Sequence, residues 1–258
     1  MSRLRAKCPD CKTYTAVAIG PCYECHACGR EFYAGLVRVP RAWGEDGDAM
    51  AAAARLPFPY PETAVIDEGS LEEQTLALAT ELPDRPLVVG GCCCAHIGAV
   101  EALAARHGRI AVVWLDAHGD LNTPQTSPSG NLWGMPLRML IEGGTVEAGD
   151  VALVGARNLD PPEQEFIAAS GLHTGQDAIE RALAETAGVY VAFDVDVLAP
   201  GELSMHMAEP GGPTLAEVEA LLAGVRDRSI VFGAGLSGMA PDPANVEPLT
   251  RVLGALGL

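Results

Sequence analysis

Residues 110–124 read IAVVWLDAHGDLNTP, and this stretch decides the fold class. Such an unbroken apolar run is typical of a strand buried on both faces, and hence of a parallel sheet covered by helices. The run ends in three polar residues, Asp116, His118 and Asp120. Ligands bind beyond the carboxyl ends of the strands in sheets of this kind. These three residues are therefore candidates for a functional site.

A second stretch has the same form, because the apolar run VYVAF leads into Asp194 and Asp196. Side chains alternate along a strand, so Asp116 shares a face with His118, and Asp194 shares one with Asp196. Carboxylates gathered at one sheet edge repel one another unless cations neutralise them. Carboxylates with an imidazole suit a pair of divalent ions such as Mn²⁺. The alternative is that these acids only cap helices or solvate loops.

The chain around these stretches alternates strand-like and helix-like segments. The strand-like runs are LVRVP, TAVI, PLVVGG, IAVVWLD, VALVGAR, VYVAFDVDVL and SIVFGAGL. The helix-like stretches are AMAAAARL, LEEQTLALATEL, HIGAVEALAARHG, PPEQEFIAAS, AIERALAETA, LAEVEALLAGV and ANVEPLTRVLGALGL. This alternation predicts an α/β fold with a parallel sheet and helices on both of its faces.

Five of the eight cysteines lie near the N-terminus. Cys8 and Cys11 form one CxxC motif, and Cys25 and Cys28 form a second. Two such motifs place four thiolates around a tetrahedral Zn²⁺. The segment resembles a zinc ribbon, and we predict that it occupies residues 1–34, ahead of a larger domain at residues 35–258. Cys22 leaves an ambiguity, because it also forms a CxxC motif with Cys25.

The role of this ribbon is open. A segment of about 35 residues cannot build a sufficient core without a metal, so the ribbon can be a structural cap. It can also be a docking or nucleic-acid module. We favour a cap or a protein-docking role, because the segment is only mildly basic and has no dense run of Lys or Arg.

Charge and hydropathy exclude several classes of partner. The formal net charge of −17 repels nucleic acid and anionic membranes, whereas it suits cationic small molecules and divalent metals. No apolar run approaches the ~20 residues of a membrane helix. The N-terminus lacks the apolar stretch of a secretory signal. We therefore expect a cytoplasmic protein with a small-molecule substrate, whose cysteines are metal ligands or free thiols.

Four motifs now indicate a family. The segments WLDAHGDLNTP…SPSGNLWGMP, FDVDVLAP, GGCCCAHIGA and VGARNLDPPE occur in the order of the corresponding motifs of arginases and agmatinases. Residues 35–258 resemble this ureohydrolase family. The resemblance implies a three-layer α/β/α fold, a dinuclear manganese site and hydrolysis of a guanidino C–N bond with release of urea. It also implies a homo-oligomer.

The resemblance also implies roles for individual metal ligands. Asp116 and Asp194 bridge the two ions, His118 and Asp196 complete one ion, and Asp120 binds the other. Asp120 and His118 are the predicted catalytic residues. Asp120 would accept a hydrogen bond from the attacking hydroxide and hold it for attack.

The same comparison implies a substrate site. Asn122, Ser127 and Ser129 match positions that contact the substrate α-carboxylate in arginases, and Asp160 and Glu163 match positions near its α-ammonium. Amides and hydroxyls suit a carboxylate, and acids suit an ammonium. The alternatives are ordinary turn chemistry for the two serines and a helix N-cap for Asp160.

One departure from the family pattern lies in the Gly-Gly turn. Cys93 replaces a metal-binding histidine, and a thiolate favours Zn²⁺ or Fe over Mn²⁺. Cys93 is nevertheless predicted as a metal ligand, so the ions are two Mn²⁺ or another divalent metal such as zinc. His96 is an alternative ligand one helical turn onward. Cys92 and Cys94 are read as small buried residues.

Two further departures affect the substrate. Trp133 replaces the histidine that carries a proton in arginases, and His206 is a candidate replacement. Ala240 replaces the glutamate that clamps the guanidinium, for which Asp242 and Glu209 are candidate replacements. We therefore predict a hydrolase of a C–N bond in an amino-acid-derived guanidine or amidine. The alternatives are a hydrolase of another linear amide and a non-catalytic metal- or ligand-binding relative whose ribbon docks a partner.

Overall fold

The computed structural model describes residues 4–45 and 47–258, so the first three residues of the predicted ribbon lie outside the described part. Four short strands come first and form an antiparallel sheet in the order β1-β2-β3-β4. They are β1 Arg5–Ala6, β2 Ala16–Ile19, β3 Cys22–Cys25 and β4 Glu31–Phe32. Their own core is small and includes Ala6, Tyr23 and Phe32 beside two cysteines.

Seven parallel strands then form the central sheet, and this confirms the predicted fold class. They are β5 Gly35–Val39, β6 Glu62–Val65, β7 Pro86–Gly90, β8 Ala111–Leu115, β9 Val151–Val154, β10 Val189–Asp194 and β11 Val231–Ser237. Their spatial order is β6-β5-β7-β11-β10-β8-β9. All seven strand-like runs of the sequence become strands of this sheet. The predicted division between residues 34 and 35 falls between the two sheets.

The helices cover both faces of the central sheet. They are α1 Gly47–Ala51, α2 Leu71–Glu81, α3 Ile97–His107, α4 Pro136–Glu142, α5 Pro161–Ser170, α6 Ala178–Leu183, α7 Leu215–Arg228 and α8 Val246–Ala255. Strand side chains alternate between two cores. Val191 and Phe193 pack on the side of α7 and α8, whereas Tyr190 and Ala192 pack on the side of α2, α3 and α4. The result is the expected three-layer arrangement.

Two segments differ from the helix prediction. The stretch AMAAAARL does not form one helix, because α1 ends at Ala51 and a separate 3₁₀ turn follows at Ala53–Arg55. The short helix α4 was not predicted. Within the described ranges, no helix has the length and apolar character needed to span a bilayer.

The N-terminal sheet covers an edge of the central sheet. Strand β6 is an edge strand, and the backbone N–H of Glu62 donates to Lys7 while that of Lys7 donates to Glu62. Gly35 lies where the two sheets meet, and a Cβ on it would press against Thr63 and the ring of Tyr23. Covering an exposed strand edge prevents it from pairing with another chain.

Candidate metal centre

Four adjacent strands deliver the candidate ligands to one edge of the sheet. Cys93 follows β7, Asp116 follows β8, and Asp194 and Ser237 are the last residues of β10 and β11. These strands are neighbours in the order β7-β11-β10-β8, and Asp194 pairs in register with Ser237. The carboxyl ends of parallel strands therefore bring together residues that are far apart in sequence.

The backbone orients the carboxylates. The N–H of His118 donates to Oδ1 of Asp116 at 2.6 Å, and the N–H of Ala117 donates to Oδ1 of Asp196 at 3.0 Å. The N–H of Asp196 in turn donates to Oδ1 of Asp194 at 3.0 Å. One oxygen of each of these three carboxylates is held by the backbone, and the second oxygen, Oδ2, faces other side chains of the cluster.

The cluster contains two groups whose potential ligand atoms lie within 4.8 Å of one another: Cys93 with Asp116 and Asp120, and Asp116 with His118 and Asp196. Asp116 belongs to both groups. Asp194 lies beside the first group, since its Oδ2 is 3.0 Å from Sγ of Cys93. A pair of ions bridged by a shared carboxylate needs this kind of arrangement.

Asp120 supplies the observation that tests whether a cation fits. Its Oδ2 is buried and has no hydrogen-bond partner among the described residues. A buried carboxylate oxygen without a partner is costly, and a cation removes that cost. The backbone of Asp120 also has φ of 53°, a strained conformation of the type found at functional sites. The donor set therefore fits a divalent metal.

The titration of these groups without metal reflects crowding and burial. Burial raises the pKa of Asp116, Asp120, Asp194 and Asp196, in the case of Asp194 to about 7. Burial opposes the charged form of His118, but hydrogen bonds to Asp116 and Asp196 outweigh it and raise the pKa of His118 to about 12. The imidazolium thus stands where a cation is needed.

A cavity of about 280 Å³ opens above the cluster. Its lining includes every residue predicted to contact substrate, namely Asn122, Ser127, Ser129, Asp160 and Glu163. Trp133, His206 and Met207 also line it. The structure thus brings the predicted substrate residues and the predicted ligands to one space.

Several of the cavity residues already have internal partners. Asn122 donates from Nδ2 to Asp160 at 2.8 Å. Glu163 accepts from the backbone N–H groups of Leu121 and Asp160, one with each oxygen. The bond between the N–H of Asp160 and Glu163 belongs to the capping box at the N-terminus of α5. Ser127 and Ser129 accept from backbone N–H groups of their own turn, so the turn chemistry considered above is present too.

The residues considered as replacements for the family's histidine and glutamate lie in different places. His206 lines the cavity, whereas Asp242 accepts from Ser204 and from the N–H of Ala244 on a nearby turn. Glu209 lies against the imidazole, 3.5 Å from Nε2 of His118, and accepts from Asn158. Ala240 is absent from the described lining of the cavity. Glu209 is therefore a neighbour of the candidate metal ligands.

A buried chain of polar groups behind Cys93 was missed by sequence reasoning. His96 contacts Ser237 through Nε2 at 3.2 Å and Tyr190 through Nδ1 at 3.0 Å. Ser237 continues the chain to Cys93 at 3.2 Å and donates to Asp194 at 2.9 Å. His96 therefore reaches the candidate ligand Cys93 only through Ser237. Among the described residues, it belongs to neither candidate ligand group. Ser237 ends the largely apolar strand β11, and a polar residue at that place in the sequence could have indicated this chain of contacts.

The ribbon cysteines form a separate group. Cys8, Cys11, Cys25 and Cys28 have their sulfur atoms within 4.8 Å of one another, and Cys22 is not a member of this group within the described residues. The hydroxyl of Thr15 contacts Sγ of Cys25 at 3.2 Å and is the main cause that lowers the pKa of this thiol to about 6. A thiolate is the form that binds zinc.

The fold and the cluster define an α/β protein of the three-layer class with a metal-binding edge. The model of the Arginase family matches residues 49–255, and the chain belongs to this family. The family resemblance seen in the sequence is thereby confirmed.

Known relatives agree with this assignment. An arginase of Staphylococcus aureus strain COL is 31% identical over 163 residues, which is 54% of this chain and 54% of that protein. The chain thus spans about half the length of the curated relatives that it matches first. The crystal structure of an arginase from Bacillus subtilis has a TM-score of 0.76 at 24% identity, covering 86% of this chain and 97% of that one. A formimidoylglutamase from Bacillus subtilis has a TM-score of 0.71 at 18% identity, covering 87% of both chains.

Proposed function

We propose that the protein is a hydrolase that cleaves a C–N bond of an amino-acid-derived guanidino or amidine compound at a pair of divalent metal ions. The observation that carries this proposal is the pair of ligand groups sharing Asp116 beneath one cavity. Membership of the Arginase family supports it. The names of the relatives, arginase and formimidoylglutamase, point to the same class of bond.

The family resemblance supplies the proposed ligands of the two ions, and the contacts within the cluster support them. Asp116 and Asp194 would be shared, His118 and Asp196 would hold one ion, and Cys93 and Asp120 would hold the other. Two divalent ions of this kind, manganese or zinc, supply a nucleophile near neutral pH by lowering the pKa of bound water. The free Oδ2 of Asp120 is placed to accept a hydrogen bond from that water and to orient it.

The cavity supports an amidine with an amino-acid tail. Asn122, Ser127 and Ser129 offer amide and hydroxyl groups to a carboxylate, and Asp160 offers an acid to an ammonium. Glu163 lines the same region, and its carboxylate accepts a hydrogen bond from the backbone N–H of Asp160, which holds Asp160 in place. Without the glutamate of the family at position 240, a free guanidinium loses a charge-assisted contact. Because of this loss, the proposed substrate class includes amidines beside guanidines.

The departing amine needs a proton. The indole of Trp133 cannot supply one at neutral pH, because its N–H is only a donor and does not titrate. His206 lines the same cavity and has an imidazole, which is the side chain best suited to proton transfer near pH 7. We therefore assign His206 as the proton donor to the leaving group.

The ribbon completes the proposal. Cys8, Cys11, Cys25 and Cys28 would hold one Zn²⁺, and the ribbon would act as a structural cap. The paired backbone hydrogen bonds between Lys7 and Glu62 support this role, because they tie the ribbon to the edge strand. The homo-oligomer that the resemblance implies remains a prediction.

A screen for product release tests the proposed activity. Purified protein with Mn²⁺ or Zn²⁺ would be assayed for urea from arginine, agmatine and guanidinobutyrate, and for formamide or ammonia from formimino-amino acids. We expect turnover of at least one compound, and no turnover by the matched Asp120→Asn variant. Binding of these compounds without product from any of them would contradict the proposal and favour the non-catalytic relative.

A further inference from the structure

We infer that the two metal positions are chemically unequal, and that the Cys93 position is a thiolate-ligated site that selects a thiophilic divalent ion such as zinc. The His118 position is then left to a harder ion such as manganese. This inference rests on the proposed two-ion site, and it concerns which ion each position takes.

The sulfur of Cys93 lies inside the ligand cluster. It is 3.0 Å from Oδ2 of Asp194, 3.2 Å from Oγ of Ser237 and 3.6 Å from Oδ2 of Asp116. The residue is only 6% exposed, so the sulfur faces the carboxylates and not bulk water. The neighbouring thiol of Cys94 is also buried but belongs to no described ligand group. The position of Cys93 is therefore that of a ligand.

The two positions differ in the softness of their donors. One position combines the sulfur of Cys93 with carboxylate oxygens of Asp116 and Asp120, and the other combines an imidazole nitrogen with carboxylates. Soft thiolate ligands favour zinc, whereas carboxylates and imidazole also suit manganese. The Oδ2 of Asp120 lies on the Cys93 side and has no hydrogen-bond partner among the described residues. The structure thus offers one mixed sulfur–oxygen site beside one nitrogen–oxygen site.

The buried chain behind Cys93 holds the sulfur in this position. His96 joins Tyr190 to Ser237, and Ser237 contacts the sulfur. Burial lowers the pKa of His96 to about 3, so the ring is neutral and one nitrogen donates while the other accepts. A Cβ at Gly235 would press against both His96 and Tyr190, so β11 leaves room for this pair. Outer-shell groups of this kind orient metal ligands.

Competition between two ions tests the inference. Crystals of the full chain would be equilibrated with series of Mn²⁺ and Zn²⁺ ratios, and anomalous scattering at the two absorption edges would give the occupant of each position. The zinc of the ribbon serves as the internal standard for occupancy. We expect the zinc-to-manganese ratio to be higher at the Cys93 position than at the His118 position. Equal ratios at the two positions would overturn the inference.

Two variants sharpen the comparison. Cys93→His installs the imidazole that the family uses, and Cys93→Ser keeps the size of the side chain. Because a thiolate ligand favours zinc over manganese, loss of the sulfur should lower the zinc-to-manganese ratio at this position, by about tenfold or more. The ratio at the His118 position should change little. An unchanged ratio at both positions would count against a sulfur ligand.

The wild-type crystal also gives an answer on its own. A zinc–sulfur distance of about 2.3 Å identifies direct ligation, whereas a sulfur well beyond that distance excludes it. These readouts need no turnover. Zinc bound to Cys93 in a protein that hydrolyses none of the screened compounds would leave this inference standing while the proposed activity failed. Turnover with manganese at both positions would give the reverse result.

Discussion

At the scale of the residue, the position of Asp194 depends on a glycine. Gly238 has φ of +69°, in the left-handed region that favours glycine, and a Cβ built on it would overlap the Asp194 carboxylate. The chain turns here directly after β11 and leaves space for the carboxylate. A small residue thus leaves room for Asp194, the proposed shared ligand, in the cluster.

We predict that Gly238→Ala impairs metal binding and stability together. The left-handed backbone costs an alanine roughly 1–2 kcal/mol, and the overlap with Asp194 adds to this. Metal content per chain and thermal unfolding would measure both effects. Gly254→Ala is the matched control, because Gly254 lies in α8 with open space around it, and alanine there should stabilise by at most about 1 kcal/mol. Similar results for the two variants would refute the role given to Gly238.

His206 carries a second prediction at this scale. His206→Ala should lower kcat by about 100-fold or more, because positioned acid–base groups contribute roughly 10²–10⁴-fold. KM should change little, since the proton moves only in the reaction step. His173→Ala is the control, because His173 is absent from the described lining of the cavity. Steady-state kinetics on a substrate found by the screen would test this, and an unaltered kcat would exclude His206 as the donor.

Some of the site was open to sequence reasoning and some was not. Asp116 and Asp194 follow apolar runs, and that local pattern placed them at strand ends. The contact between His96 and Ser237 joins residues 141 positions apart, so it depends on which strands are neighbours in the sheet. The place of Glu209 beside His118 depends on the path of a loop, which has no periodic pattern.

At the scale of the element, strands were easier to predict than short helices. All seven runs of apolar residues became strands, because burial on both faces demands continuous apolar sequence. The helix α4 spans only seven residues and follows a loop rich in Ser, Gly and Pro. A helix of two turns is too short for the spacing of its apolar residues to be recognised. Its signals were Pro136 at the first helical positions and the pair Arg138–Glu142.

The ribbon gives a third prediction. Cys25→Ser should remove one zinc per chain, because Cys25 is buried and belongs to the four-thiol group. A small segment folded around a metal unfolds when the metal is lost, so we also expect faster proteolysis near the N-terminus of this variant. Cys22→Ser is the matched control within the same strand β3 and should keep its zinc. Loss of zinc from the Cys22 variant with retention in the Cys25 variant would reverse the assignment.

At the scale of the whole molecule, the acidic cluster links stability to pH and metal. In the protein that keeps only its ribbon zinc, the folded state raises the pKa of Asp194 from 3.8 to about 7. The folded state therefore binds a proton that the unfolded chain releases. The resulting stability is complete below about pH 4 and is lost as the pH rises through about 7. The pKa of His118 is also raised in the folded state, so its contribution to stability is likewise lost as the pH rises, over a higher range of pH.

We therefore predict that, without metal in the cluster, the Tm falls between about pH 5 and pH 8. With Mn²⁺ or Zn²⁺ present the trend should reverse, because metals bind the deprotonated ligands and stabilise the folded state. Differential scanning calorimetry with elemental analysis of each sample would measure both trends. The same pH dependence with and without added metal would show that the cluster does not bind these ions.

The most direct test of the account is a count of metal ions per chain in the purified protein by elemental analysis. We predict one zinc in the ribbon and two further divalent ions, and we predict that Asp116→Asn, which alters the ligand shared by both groups, retains the ribbon zinc and loses the two others. A wild-type protein with a single zinc after incubation with Mn²⁺ and Zn²⁺ would contradict the account.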